Sequence, residues 1–133
     1  MERTLLILKP DTFRRGLVGE IIKRVELKGF KIVNMKFEYL SREKAERFYS
    51  EHKGKSFFEK LIDYITSGPI LAMELEGENA IKILRILIGA TDPIEREMGS
   101  IRGDFSMDIT ENLVHASDSE ESFKREKDII FEL

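Results

Sequence analysis

Thr4-Leu-Leu-Ile-Leu-Lys-Pro-Asp11 begins with an apolar run too short for a helix and stops at a charged residue and a proline. It reads as a buried first strand that ends in a turn, with Lys9 at the strand end. Beyond the Arg14-Arg-Gly16 turn, Val18, Ile21, Ile22 and Val25 share one helix face, and Gly29 supplies the stop. Phe30, Ile32 and Phe37 lie in an alternating, β-rich run to Leu40, the second strand. Ser41, with Glu43 in the first turn, caps a short helix to about His52. Lys53-Gly-Lys55 separates it from a second short helix, Phe57 to Ile65, closed by Ser67-Gly-Pro69. Ile70 to Leu75 is the third strand. Ala80, Ile83, Leu84, Leu87 and Ile88 form the apolar face of the next helix, with Arg85 off its densest stripe. Ala90 to Met107 holds Pro93, Gly99 and Gly103 with little periodicity and is expected to be a long loop, a kind of segment that usually carries function.

Asn112-Leu-Val-His-Ala-Ser-Asp118 then reads as a short strand, Leu113 to Ala116, followed by a helix through about Phe131. Ser117 with Glu120, and Asp118 with Glu121, both fit the Ser/Thr/Asp-x-x-Glu capping pattern, and the sequence leaves the two registers open. His115 would stand just before the electropositive end of that helix, a place suited to phosphate. Long helices follow the first and third strands. The element order therefore points to an α+β, ferredoxin-like (βαββαβ) domain: an antiparallel sheet with helices on one face, plus extra short helices and a C-terminal helix.

The 133 residues, 41% hydrophobic, suit one domain over 1–133 with a real core. Without cysteine there are no disulfides, thiolate metal sites or cysteine nucleophiles, as expected in a reducing compartment. The first apolar run is too short and too soon charged for a signal peptide or membrane span, so a cytoplasmic protein with no membrane partner is expected. The net charge of -3 divides unevenly, with 15 Lys/Arg against 9 Asp/Glu in residues 1–60 and 7 against 16 thereafter. That permits a local cationic patch without implying general affinity for nucleic acid.

Gly54-Lys-Ser56 resembles the end of a phosphate-binding P-loop, but the required earlier glycine is Tyr49 and no strand precedes it. Lys28-Gly-Phe-Lys-Ile-Val33 partly mimics an RNA-reading strand, yet Lys31 and Ile32 break the stacking platform. Two histidines without close spacing make no zinc site, and no protein metal ligand is assigned. Taken alone, His115 reads first as a structural histidine. Its polar neighbours Asn112 and Ser117, and Glu126 two helical turns beyond the cap, raise the case for a nucleophile whose ring a carboxylate orients. An imidazole attacking a γ-phosphate also needs cations, and Lys9, Arg85 and Arg102 are candidates from three separate elements.

The His115 stretch, together with Leu8-Lys-Pro-Asp11, Arg15-Gly-Leu-Val-Gly19, Phe48-Tyr-Ser-Glu-His-Lys-Gly-Lys55, Thr66-Ser-Gly-Pro69, Gly89-Ala-Thr-Asp-Pro93 and Ile101-Arg-Gly-Asp-Phe105, resembles the nucleoside diphosphate kinases. The matches run in order through almost the whole chain. The resemblance implies a ferredoxin-like core and a ping-pong transfer of the γ-phosphate from a nucleoside triphosphate to a diphosphate. In that scheme His115 is the phosphorylated residue, Glu126 holds its imidazole and Ser117 stands beside it. Arg85, Thr91, Arg102 and His52 match positions around the phosphates. Lys9 and Asn112 match positions near the sugar hydroxyls and the transferring phosphate, with Tyr49 packed against them. Phe57 and Ile109 match the pair that sandwich the base, with Leu61 adding apolar surface. Stacking needs only a π-face, so such a slot accepts purines and pyrimidines alike. Read without the resemblance, Phe57, Leu61 and Ile109 are ordinary core or patch residues. Mg²⁺ is expected to arrive with the nucleotide, and a homo-oligomer, hexamer or tetramer, is the expected assembly.

Three departures stand out. Ala116 follows the histidine where many relatives carry glycine, and Met98 precedes Gly99 where proline is common, which implies a less rigid loop ahead of Arg102. The chain stops at Leu133, sooner after the last helix than in many relatives, which bears on subunit contacts. Two other classes compete with the enzyme: a non-catalytic nucleotide-binding module of the same fold, and, third, a nucleic-acid binder.

Overall fold

A computed structural model describes residues 1–132; Leu133, and with it the expectation tied to the chain's last residue, lies outside the described residues. Four strands, β1 (Glu2–Leu8), β2 (Lys31–Glu38), β3 (Ile70–Gly77) and β4 (Val114–Ala116), form one sheet in the order β2-β3-β1-β4. All its pairings are antiparallel. This is the split βαβ arrangement expected. The helices are α1 (Pro10–Arg14), α2 (Val18–Lys28), α3 (Arg42–Phe48), α4 (Phe58–Ile65), α5 (Ala80–Ile88), α6 (Ile101–Phe105) and α7 (Glu120–Phe131).

Strand β1 is central and buried on both faces, because its side chains alternate between two cores. Leu6 and Leu8 join Ile21 and Val25 of α2 and Leu84 and Ile88 of α5. Leu5 and Ile7 join Phe48 of α3, Ile62 of α4 and Phe123 and Ile130 of α7. The two long helices thus cover one face, and the extra short helices with α7 cover the other.

Local chemistry explains most boundaries. Gly29 ends α2 in the left-handed region at φ 111°, open to glycine at little steric cost. Ser41 accepts from Lys44 N to start α3. Lys9-Pro-Asp11, expected to be only a turn, leads into α1, where proline suits the first helical position. The stretch from Ala90 to Met107 is not wholly a loop. A 3-10 turn at Pro93–Glu95 and the short α6 interrupt it, the latter capped by Ser100 accepting from Gly103 N. Gly103 hid this helix from the sequence pattern, yet a Cβ there would lie 1.9 Å from the Glu97 carbonyl oxygen. Neither expected cap of α7 is used. Ser119 accepts from Ser122 N, while the Ser117 hydroxyl is committed to Glu126.

Thr4 is fully buried on β1 and its hydroxyl has no partner among the described residues. A buried hydroxyl without a partner loses its hydration for nothing. Thr4→Val, equal in shape, is expected to raise the unfolding free energy by about 1 kcal/mol. Urea denaturation checks this, and a lower midpoint would mean that the hydroxyl is satisfied.

Candidate active site

The short β4 is an edge strand, and its edge organises the site. It pairs with β1 through Lys9 N to Leu113 O (2.8 Å) and Ser117 N to Leu5 O (3.2 Å), with Ile7 opposite His115. The carbonyls of Val114 and Ala116 are left to the open side. There Arg102 Nη2 donates to Val114 O at 2.6 Å and Arg85 Nη1 to Ala116 O at 3.1 Å. The carbonyls they bind belong to the residues on either side of His115, so the two arginines do converge, and they also satisfy backbone groups that an edge would expose.

His115 side-chain packing lies on the α7 side of the sheet. Its Nε2 is 3.0 Å from Glu126 Oε1, to which Ser117 Oγ also donates at 2.7 Å. Burial pushes the Glu126 carboxyl up, but the bonds from His115 and Ser117 outweigh it and hold the group below its usual range. An ionised carboxylate only accepts, so Nε2 carries the proton and Nδ1 the lone pair. Nδ1 has no hydrogen-bond partner among the described residues, and the side chain is 22% exposed. Phe48 and Tyr49 meet the ring edge-on at centroid distances of 5.2 and 6.3 Å. The ring is fixed on three sides.

Lys9, at the end of β1, is buried and donates to Asn112 Oδ1 at 2.7 Å. Burial, reinforced by Arg102 and partly offset by Asp11, brings its pKa down to about 7. Arg102, also buried, reaches Asn112 O (3.2 Å) and Gly89 O (3.0 Å). Burial, Arg85 and Arg96 bring it down to about 10, so it stays charged. Asn112 Nδ2 donates to Ile109 O at 2.9 Å, linking this cluster to the outer rim. His52 stacks on Tyr49 at 6.3 Å and tilts against Phe57 at 5.4 Å. Phe57 and Ile109 are 45% and 59% exposed, unlike ordinary core residues, whereas Leu61 packs partly into the α3/α4/α7 core. Thr91 is exposed, and its carbonyl is held by Arg96.

Three positioning features escaped the sequence. Leu113 has φ 77°, a left-handed conformation worth about 1–3 kcal/mol of strain for a residue of its kind. It is held there by Asp11 Oδ2, which accepts from Leu113 N at 3.1 Å, while Asp11 Oδ1 accepts from the Tyr64 hydroxyl. The third is Arg96, whose guanidinium lies amid backbone carbonyls. Asp11 had a weak signal, a carboxylate just past a strand end; Tyr64 and Arg96 had none. Among the described residues no group of three or more His, Cys, Asp or Glu could hold a metal ion, and no helix is long and apolar enough to cross a membrane.

A family model described as Nucleoside diphosphate kinase matches residues 2–133. The chain is 56% identical to a nucleoside diphosphate kinase of Archaeoglobus fulgidus over 131 residues, covering 98% of this chain and 87% of the relative. It is 53% identical to that of Fervidobacterium nodosum, with 98% and 89% covered. Among solved structures, a halophilic nucleoside diphosphate kinase from Halobacterium salinarum in complex with CDP superposes with a TM-score of 0.95 at 44% identity, covering 99% of this chain and 88% of that one. The Aquifex aeolicus nucleoside diphosphate kinase gives 0.93, also at 44% identity, with 98% and 94% covered.

The Lys9 environment has a pH signature. Its folded pKa, about 7, lies below the unfolded value of 10.5, so between these values the unfolded chain binds more protons and stability rises with pH. The penalty is full below about 7 and relieved toward 10.5. Lys9→Met removes it at every pH. The unfolding free energy of this variant minus that of wild type is expected to fall as pH rises from about 7 to 9.5; denaturant titrations across that range check it, and a flat difference would place the ammonium in water.

Proposed function

The chain belongs to the nucleoside diphosphate kinase family, and from that premise we propose that His115 Nδ1 is the atom through which the phosphoryl group passes. The enzyme moves the γ-phosphate of a nucleoside triphosphate to a nucleoside diphosphate in ping-pong fashion through a phosphohistidine. The observation that carries the residue assignment is the Glu126 carboxylate on Nε2, which leaves Nδ1 as the nucleophilic nitrogen.

In the first half-reaction the Nδ1 lone pair attacks the γ-phosphorus, an Nδ1–P bond forms, and the bond to the β–γ bridging oxygen breaks. The diphosphate leaves with that oxygen. The imidazole gains positive character while keeping its Nε2 proton, and Glu126, steadied by Ser117, stabilises it. In the second half-reaction a terminal oxygen of the acceptor diphosphate attacks the same phosphorus and the Nδ1–P bond breaks. Lys9, Arg85 and Arg102 offset charge on the transferring group. Thr91 and His52 border the phosphates, Asn112 holds Lys9 toward the ribose and phosphate, and Tyr49 backs the histidine. Phe57 and Ile109, with Leu61 beneath, take either face of the base, so purines and pyrimidines are both accepted. Mg²⁺ comes with the nucleotide, held by phosphate oxygens and water, and supplies charge neutralisation there.

We read residues 1–133 as a single domain acting in the cytoplasm as a homo-oligomer, hexamer or tetramer. Support for self-association comes from the outer edge strand β2 and its neighbour α2, where Met35, Phe37, Tyr39 and Leu27 are 46%, 57%, 68% and 75% exposed. An open apolar edge invites a second strand.

Incubation with γ-labelled ATP and Mg²⁺ in the absence of acceptor is expected to give a protein label that survives alkali, is lost in acid, and is chased onto GDP or CDP. His115→Ala should abolish it, whereas Glu126→Gln should slow labelling by roughly 10²-fold while leaving nucleotide binding intact. Undiminished acid-labile label on His115→Ala would move the nucleophile elsewhere.

A further inference from the structure

Arg96 spends every N–H of its guanidinium on the backbone and hydroxyl of two segments far apart in the chain. Nε donates to Ala90 O at 2.9 Å and Nη2 to Thr91 O at 2.8 Å on the outgoing side of the loop. On the returning side Nη1 donates to Ser106 O at 3.0 Å and Ser106 Oγ at 3.3 Å, and Nη2 to Asp108 O at 2.8 Å. A guanidinium carries five donors in a rigid fork, and all five are used. We propose that Arg96 is a positioning residue for the nucleotide, a staple that closes the loop between α5 and β4 and thereby presets Thr91 and Ile109 before substrate arrives. This rests on the reading that Thr91 and Ile109 border the substrate.

Both stapled ends lead directly to those residues. Thr91 itself gives its carbonyl. Asp108, the other anchor, begins a turn in which its Oδ2 accepts from Thr110 N (2.8 Å) and Glu111 N (2.7 Å), and Ile109 sits inside that turn. The middle of the loop is held by different bonds, Asp104 Oδ1 accepting from Gly99 N at 2.8 Å and Asp104 Oδ2 from Arg24 Nη1 at 2.6 Å. Nothing else among the described residues joins 90–91 to 106–108 through side chains. Met98 makes the staple necessary. Its φ is free, unlike that of a proline, and the unfavourable entropy of a looser loop falls on substrate binding unless another contact restricts the backbone. The Met98 N–H donates no hydrogen bond among the described residues, so a proline there would remove none.

The staple's loss should be felt in binding more than in folding. Ala90 and Ser106 are half-buried and Thr91 and Asp108 exposed, so water can replace the guanidinium at each carbonyl. Arg96→Ala is therefore expected to raise KM for both ATP and GDP on the order of tenfold, with kcat within about threefold and the thermal midpoint little changed. Arg96→Lys keeps the charge but cannot span four carbonyls, and should match the alanine variant. Met98→Pro added to Arg96→Ala should recover at least half of the lost affinity on a logarithmic scale. An unchanged KM in Arg96→Ala, wild-type KM in Arg96→Lys, or no recovery from the proline would each overturn the staple. The acid-labile label on His115 is measured in the same preparations: its absence from wild type would overturn the site reading itself, whereas its presence with an unmoved KM would overturn only the role of Arg96.

Discussion

A buried carboxylate holds this molecule's chemistry together. Glu126 is 3% exposed, and an ion so placed is destabilising by several kcal/mol unless its oxygens are satisfied. Ser117 and His115 satisfy one of them, and both come from the β4 region. Their bonds therefore set the position of α7 over the sheet as much as they set the ring of His115. The helix is also held at its far end, where the Lys44 ammonium donates to Ile130 O at 3.1 Å while paired with Glu38. Lys44 belongs to α3, the helix that brings Phe48 and Tyr49 against the imidazole. The ring's tautomer, the angle of α7 and the packing of α3 are thus one solution to one electrostatic problem.

The opposite sign is concentrated at the end of β1 and in α6. Lys9 and Arg102 are both buried; in addition to burial, Arg102 lowers the pKa of Lys9, and Arg85 and Arg96 lower that of Arg102. Arg102 satisfies backbone carbonyls there, whereas Lys9 adds a second buried cation that the fold meets with a side-chain acceptor, Asn112 Oδ1. Such an arrangement is unfavourable in the free protein and becomes favourable only beside a polyanion, which is how a preformed phosphate site stores part of its binding energy. The strained Leu113 belongs to the same economy of design, because its backbone turn lets Asn112 face Lys9 and lets Val114 enter the edge strand.

The sequence showed the frame more readily than the joints. The short apolar run of β1 and the 3.6-residue spacing in α2 and α5 are local signals, and they located the core elements to within a few residues. The roles of His115, Glu126, Lys9 and Arg102 came mainly from family resemblance, since single charged residues carry no periodicity. Where a tertiary bond competes with a local one, local rules mislead. Ser117 fits a cap by pattern, but Glu126 claims its hydroxyl and Ser119 takes over. Arg96 was invisible for a related reason: its partners are carbonyls, which every residue has, so no side-chain pattern announces them. Tyr64 reaches Asp11 across fifty-three positions, a distance no local window spans.

The two departures inside the described residues have different physical weights. Ala116 stands where the family resemblance leads one to expect a residue free to adopt unusual backbone angles, yet its place in β4 needs none: it pairs with Leu6, has no positive φ, and its methyl group lies in the core with Leu6 and Val114. A glycine there would leave that space unfilled and the edge strand freer in the unfolded state, so alanine fits the strand better than glycine would. Met98 is the reverse case. It is 80% exposed, too open for packing to restrict its backbone, so the restriction has to come from elsewhere in the loop. A substitution within a core strand is absorbed where it occurs, because neighbours on both sides fix the backbone. One within a long loop passes its freedom to every residue the loop carries, including those beside the substrate, until a contact across the loop's mouth removes it.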